Sequence, residues 1–245
     1  MGSLVLLSLR SRDRQPELMD DPSLDEIEHR AALTGLRRVN GISRSAAILW
    51  PSIKRLARKE SSQRLRILDI ACGGGDVTVA IAARAAAAGI AMQVEGCDIS
   101  PVAVQLASES AANSQLTDST NFFKCDILND DMPDSYDIVM CSLFLHHLSE
   151  SDSCRLVKKM VELSRTLVLV NDLRRTRLGY ALAWMGCRLL SRSPIVHVDG
   201  PLSVRAAYSI DEVRDLAIAC GLADATITTH WPQRFLLEWN REVTR

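Results

Sequence analysis

Through the centre of the chain, short apolar runs alternate with longer stretches whose apolar residues recur at helical spacing. Ile67, Leu68 and Ile70 open the series, and an alanine-rich segment from Val77 to Ala88, stopped by Gly89, follows as a helix. Further strand-like runs lie at Gln93 to Cys97, Asn121 to Cys125, Tyr136 to Cys141 and Leu167 to Val170. They are of the kind that strands buried on both faces require. Ser100 and Pro101 supply an N-cap and a first helical residue for a helix to about Ala112. Ser149-x-x-Asp152 resembles a capping box, and Ser209-x-x-Glu212 is a second one. This alternation predicts a parallel sheet with right-handed crossovers. Two last runs, Ala225 to Thr229 and Arg234 to Trp239, are separated by Trp231-Pro232-Gln233 and predict an antiparallel hairpin. The fold class is therefore α/β, a doubly wound and mostly parallel seven-stranded sheet closed by a C-terminal hairpin.

The flanks are less regular. Residues 1–19 carry Arg10, Arg12, Asp13 and Arg14 without periodicity and read as a loose tail. A helix can start at Asp20-Asp21-Pro22-Ser23, with Leu24, Ile27 and Ala31 on one face, and another follows Gly41-Ile42-Ser43. Residues 20–60 thus form covering helices for a main domain over residues 61–245.

Between the first strand and its helix stands Asp69-Ile70-Ala71-Cys72-Gly73-Gly74-Gly75-Asp76. Glycine lets the backbone turn sharply there and lets a ligand lie against it. A dinucleotide pyrophosphate fits poorly, because Thr78 stands where its fingerprint needs a small residue and two carboxylates, Asp69 and Asp76, flank the loop. Those charges suit a ligand with cationic groups, such as an ammonium and a sulfonium.

Leu68-Asp69-Ile70-Ala71-Cys72-Gly73-Gly74-Gly75 resembles the first motif of class I S-adenosylmethionine-dependent methyltransferases, written L-D-x-G-C-G-x-G, with Ala71 where that pattern has glycine. The resemblance implies a Rossmann-like methyltransferase fold and S-adenosylmethionine as cofactor, with S-adenosylhomocysteine as product. Asp69, Ala71, Cys72, Gly73 and Gly75 would form the cofactor loop. Asp98, at the end of the second strand, is placed for the ribose hydroxyls, with Ile99 beside it. Asp126 would face the adenine amino group, and Ile127 would lie near the ring. Cys141 and Leu143, ending the fourth strand, are placed to line the adenosyl and methionine pocket. Residues 173–208 lie where this family places substrate-specific insertions. Their apolar core, Leu178 to Leu190, preceded by Arg174, Arg175 and Arg177, is expected to be a lid over a hydrophobic acceptor or a dimer element.

Composition narrows the partners. With 29 basic and 30 acidic residues among 245, the net charge is -1, which argues against a general polyanion surface and so against nucleic acid. Seven cysteines, widely spaced and without a C-x-x-C pair, read as buried thiols of a reducing compartment. No apolar segment is long enough to cross a bilayer, and Leu4 to Leu7 lacks the features of a signal peptide, so a cytoplasmic location is expected. A homodimer through the N-terminal helices or the insertion is a further expectation.

The chain lacks the Asn/Asp-Pro-Pro-aromatic run of exocyclic-amine methyltransferases and any Pro-Cys nucleophile, and Cys141 and Asn171-Asp172 fit a catechol-type metal site poorly. No metal is expected. The acceptor is read as small and hydrophobic or aromatic, a phenol, quinone precursor or polyketide methylated on O or C. Candidate bases are His146, His147, His197, Asp172 and Asp199, with His147 and His197 placed first as catalytic residues. The alternatives are an NAD(P)-binding dehydrogenase, a non-catalytic cofactor-binding subunit, and an RNA methyltransferase using Arg37, Arg38, Arg44, Arg174, Arg175 and Arg177.

Overall fold

The computed structural model describes residues 9–21, 24–59, 64–132 and 135–241. Five parallel strands run through its centre: β1 (Leu65–Ile70), β2 (Met92–Asp98), β3 (Thr120–Lys124), β4 (Tyr136–Ser142) and β5 (Ser164–Leu173). The hairpin β6 (Thr226–His230) and β7 (Arg234–Asn240) completes a seven-stranded sheet of order β3-β2-β1-β4-β5-β7-β6. β7 lies antiparallel to both of its neighbours. The order reverses between β1 and β4, and at such a switch point the loops after the two strands diverge and leave a crevice.

Strand periodicity divides the core into two layers. Leu68, Ile70, Val139, Val168, Val170 and Phe235 pack on one face with α5 (Glu150–Leu163) and α8 (Ile210–Ala219). Ile67, Ile138, Met140, Leu167, Leu169 and Leu236 pack on the other with α2 (Ser45–Lys59) and α3 (Asp76–Ala87). Each fully buried side chain of this type contributes about 1.5–3 kcal/mol of transfer free energy. Ser100 caps α4 (Pro101–Asn113), accepting from the Ala103 N–H as expected, and Ser209 and Glu212 close a reciprocal box on α8.

Two expectations are corrected. The first concerns α1 (Glu26–Ser43), which does not bury Ile27 and Ala31: Ile27 is 77% exposed, and Ala32, Gly35 and Leu36 face inward instead. A Cβ on Gly35 would stand 2.3 Å from Ser191 Oγ, so the helix buries its smallest side chains where it approaches closest. Pro22 and Ser23, where its start was expected, lie outside the described residues. The second concerns the tail, of which residues 1–8 lie outside the described residues and the rest is anchored at Arg12, Asp13 and Glu17. Arg12 donates to the carbonyls of Ala206, His146 and Leu148 and stacks on Tyr208, and Arg205 pairs with Asp13. The insertion holds α6 (Arg177–Leu190), over the expected apolar core, and a second helix, α7 (Pro194–Ala206), which begins on a proline tolerated in a first helical turn.

Candidate active site

The carboxyl ends of β1, β2 and β4 open into a cavity of about 1190 Å³, closed from above by α1, α6 and residues 17–21. Ligand pockets are on the order of 300–1,000 Å³, so this space can take a cofactor and an acceptor together.

At one end lies the glycine loop. Gly73 (φ +52) and Gly75 (φ +74) are left-handed, and so is Ala71 (φ +53), at the one place where the family pattern has glycine. A Cβ on Gly73 would meet nothing within 4 Å, so its surface is open to the cavity. Gly75 serves the fold: a Cβ there would lie 2.7 Å from Ala107 Cβ. Three carboxylates surround the loop. Asp98 accepts from the Gly73 and Ser100 N–H groups, each at 2.9 Å. Asp69 accepts from the Thr78 hydroxyl at 2.6 Å, which gives that residue a structural reason to stand where a pyrophosphate fingerprint needs a small one. Burial, opposed by the Thr78 hydrogen bond and reinforced by the charges of Asp76 and Asp98, pushes the Asp69 carboxyl up to about 7. The charges of Asp76 and Asp98, joined by Asp69 where it ionises, disfavour a pyrophosphate and suit a cation.

Beyond the loop, Ile99, Asp126 and Ile127 line the same wall. Asp126 accepts from the Leu128 N–H and the Asn129 amide. Leu143, left-handed (φ +60), also faces the cavity. Cys141 does not. It is fully buried in the α5 layer, and Ser142, one residue on and on the opposite face of β4, takes its place.

The opposite end carries the histidines. His146 Nδ1–H donates to Asp172 Oδ1 at 2.7 Å, and the His146 and Leu173 N–H groups hold the same carboxylate at 3.1 and 2.6 Å. Burial works against the Asp172 charge, but His146, the Leu173 N–H and Arg234 outweigh it and keep the carboxyl below its ordinary range. With Nδ1 so engaged, the second ring nitrogen of His146 is its proton-accepting atom and stands 3.8 Å from Glu17 Oε1. His147 Nε2 stands 3.9 Å from Glu17 Oε2. His197 is elsewhere. Its Nε2 donates to the Ser191 carbonyl at 2.7 Å, within the α6–α7 connection, and it does not line the cavity. Asp199 does line it, but its two oxygens accept from the Leu18 and Met19 N–H groups and so anchor the N-terminal segment.

Two cavity residues had no sequence signal, Glu17 in an aperiodic segment and Arg234 at the start of β7. Glu17, His146 and His147 also place one ligand atom each within 4.8 Å of one another, a donor set that a divalent cation could share. Among the described residues no helix is long and apolar enough to cross a membrane.

Sheet order, glycine loop and strand-end carboxylates are together those that the resemblance to class I S-adenosylmethionine-dependent methyltransferases implies. Residues 67–166 match the family described as a methyltransferase domain. A ubiquinone biosynthesis O-methyltransferase of Methylococcus capsulatus is 30% identical over 129 residues, covering 52% of this chain and 51% of the relative. One from Xanthomonas campestris is 29% identical over 128 residues, with the same coverage. The chain spans about half the length of the curated relatives it matches. Among solved structures, the plantazolicin methyltransferase BpumL, in complex with a desmethyl analogue and S-adenosylhomocysteine, superposes with a TM-score of 0.61 at 14% identity, covering 88% of this chain and 95% of that one. The magnesium protoporphyrin IX methyltransferase of Synechocystis, with bound S-adenosylhomocysteine, gives 0.55 at 17%, covering 91% and 90%.

Proposed function

We propose that the protein binds S-adenosylmethionine at the glycine loop and methylates a small hydrophobic or aromatic acceptor, on a hydroxyl oxygen. The observation that carries the reading is one cavity with a carboxylate-ringed glycine loop at one end and the His146–Asp172 pair at the other. The residues fit the cofactor. Asp69, Asp76 and Asp98 offset its cationic groups, Gly73 leaves room against the backbone, and Asp98 keeps lone pairs for ribose hydroxyls. Asp126 and Ile127 stand at the adenine end. When bound, the cofactor supplies an electrophilic methyl group on a sulfonium.

The chain's own residues do the rest. His146 takes the acceptor hydroxyl proton at Nε2, while Asp172 holds the ring in that tautomer and offsets the charge it gains. α6, α1 and the segment around Glu17 exclude water and hold the acceptor close, from which most of the rate of an in-line displacement can come. The apolar α6 wall, with Leu182, Ala183 and Met185, favours an aromatic acceptor, and the similarity to ubiquinone biosynthesis O-methyltransferases favours O-methylation. Six buried cysteines out of seven support a reducing, cytoplasmic setting, and exposed Leu178, Trp184 and Leu189 on α6 support a homodimer contact. The RNA alternative loses Arg175, whose guanidinium is held by Glu212 and the Ala207 carbonyl.

The test is methyl transfer from labelled S-adenosylmethionine to a panel of catechols, naphthols and alkylphenols. Transfer by the wild type, lost in His146→Gln, supports the reading. Absence of transfer to every phenol, with transfer to RNA instead, overturns it.

A further inference from the structure

Arg234 opens β7 opposite Leu173, the last residue of β5. Its side chain lies on the sheet face of Asn171 and Ser142 and lines the cavity, yet the residue is only 4% exposed. Its Nε and Nη1 have no hydrogen-bond partner, and among the described residues it forms no ion pair. Asp172 and Asp76 act on it only from a distance, and burial pulls the guanidinium down to about 10. Beside it, Asn171 uses its Nδ2 on the Ser142 hydroxyl while its Oδ1 is also unpartnered.

A buried cation with unpaired donors is among the most unfavourable arrangements a fold can hold unless a ligand completes it. A guanidinium grips the two oxygens of a carboxylate along an edge that joins Nη2 either to Nε or to Nη1, so each of the two edges of Arg234 carries an unpartnered nitrogen, and bidentate pairs of this kind are strong and directional. We infer that Arg234 is the carboxylate receptor of the cavity. Two sources present that chemistry. One is the amino-acid end of the cofactor, whose loop carries the Asp76 that acts on Arg234, and this source rests on the function proposed above. The other is an acid group on the acceptor, entering from the β5–β7 side.

The experiment uses the full chain as wild type, Arg234→Met and Arg234→Lys. Each is titrated calorimetrically with S-adenosylhomocysteine and with 5′-methylthioadenosine, which keeps the nucleoside and sulfur but lacks the amino-acid end. Benzoate and phenol are then titrated into the free and the S-adenosylhomocysteine-saturated protein. If the cofactor is the source, Arg234→Met weakens S-adenosylhomocysteine at least tenfold and leaves methylthioadenosine unchanged. If the acceptor is the source, the wild type prefers benzoate to phenol at least tenfold and Arg234→Met abolishes the preference. Arg234→Lys, which keeps the charge and loses the fork, falls between in either case and stands in for the methionine variant if that one does not fold. Unchanged affinities for all four compounds in a folded variant overturn the inference. A wild type that binds neither nucleoside overturns the cofactor reading instead, and the benzoate arm on the free protein still decides the role of Arg234.

Discussion

The side chain of Asp172 accepts from the backbone N–H and from Nδ1 of His146, at 3.1 and 2.7 Å, so one carboxylate fixes both the turn after β4 and the tautomer of its histidine. Position and proton-accepting atom are set together. If His146 is the base, His146→Gln and Asp172→Asn each lower kcat by about 10²–10⁴. Affinity for S-adenosylhomocysteine stays within threefold, and single-turnover kinetics beside calorimetry checks both. An equal loss in His147→Gln, with His146→Gln active, would transfer the role.

The raised carboxyl of Asp69 makes cofactor binding depend on pH. A cation favours the ionised form, so affinity for S-adenosylmethionine rises as pH passes upward through about 7, and binding below that pH releases protons. Stability of the free protein runs the other way. The folded carboxyl holds its proton up to about 7 while the unfolded one loses it near 3.8, so the folded state binds more protons in this window and stability falls as pH rises across it. Asp69→Asn flattens both profiles, as titrations in buffers of different ionisation enthalpy and melting curves between pH 5 and 8 would register.

Two glycines of the loop separate fold from ligand. Gly75→Ala meets both a left-handed backbone and Ala107, and loses about 2–5 kcal/mol of stability. Gly73→Ala pays only the backbone term, about 1–2 kcal/mol, but fills the open face and weakens cofactor binding at least tenfold. Ala71→Gly relieves a similar strain, so its melting temperature does not fall. Denaturant melts and calorimetry on the three variants check this ordering.

Glu17, His146 and His147 could hold a divalent cation, but under the proposed chemistry they need none. Methyl transfer therefore survives dialysis against EDTA. Loss of activity, restored by added zinc or magnesium, would make these side chains ligands and remove His146 as the base.

The strands were readable because a parallel sheet buries both faces, so each strand shows as a short apolar run that no surface requirement interrupts. The glycine loop was readable because glycine best fits the left-handed backbone at Gly73 and Gly75 and the open surface at Gly73, although Ala71 takes the same conformation. What local pattern could not fix was the side on which a residue lies at an element's end. Cys141 and Ser142 are adjacent, and only the pleat and the true end of β4 assign the cavity to the second. The buried face of α1 was misplaced by one residue because close approach to Ser191 selects Gly35, whereas apolarity alone points to Ile27. Glu17 and Arg234 enter the cavity through contacts with residues far along the chain. Glu17 is set by Ser203 and by the Asp199 carboxylate that anchors the next two residues, and Arg234 by the pairing of β7 with β5. No local spacing encodes either.

The most direct measurement is calorimetric titration of the full chain with S-adenosylmethionine and S-adenosylhomocysteine, beside Asp98→Ala and an NADH control. Micromolar binding of both, weakened at least tenfold in the variant and absent with NADH, is the predicted result. Failure to bind either compound, or binding of NADH in their place, would contradict the assignment of the glycine loop and every role built on it.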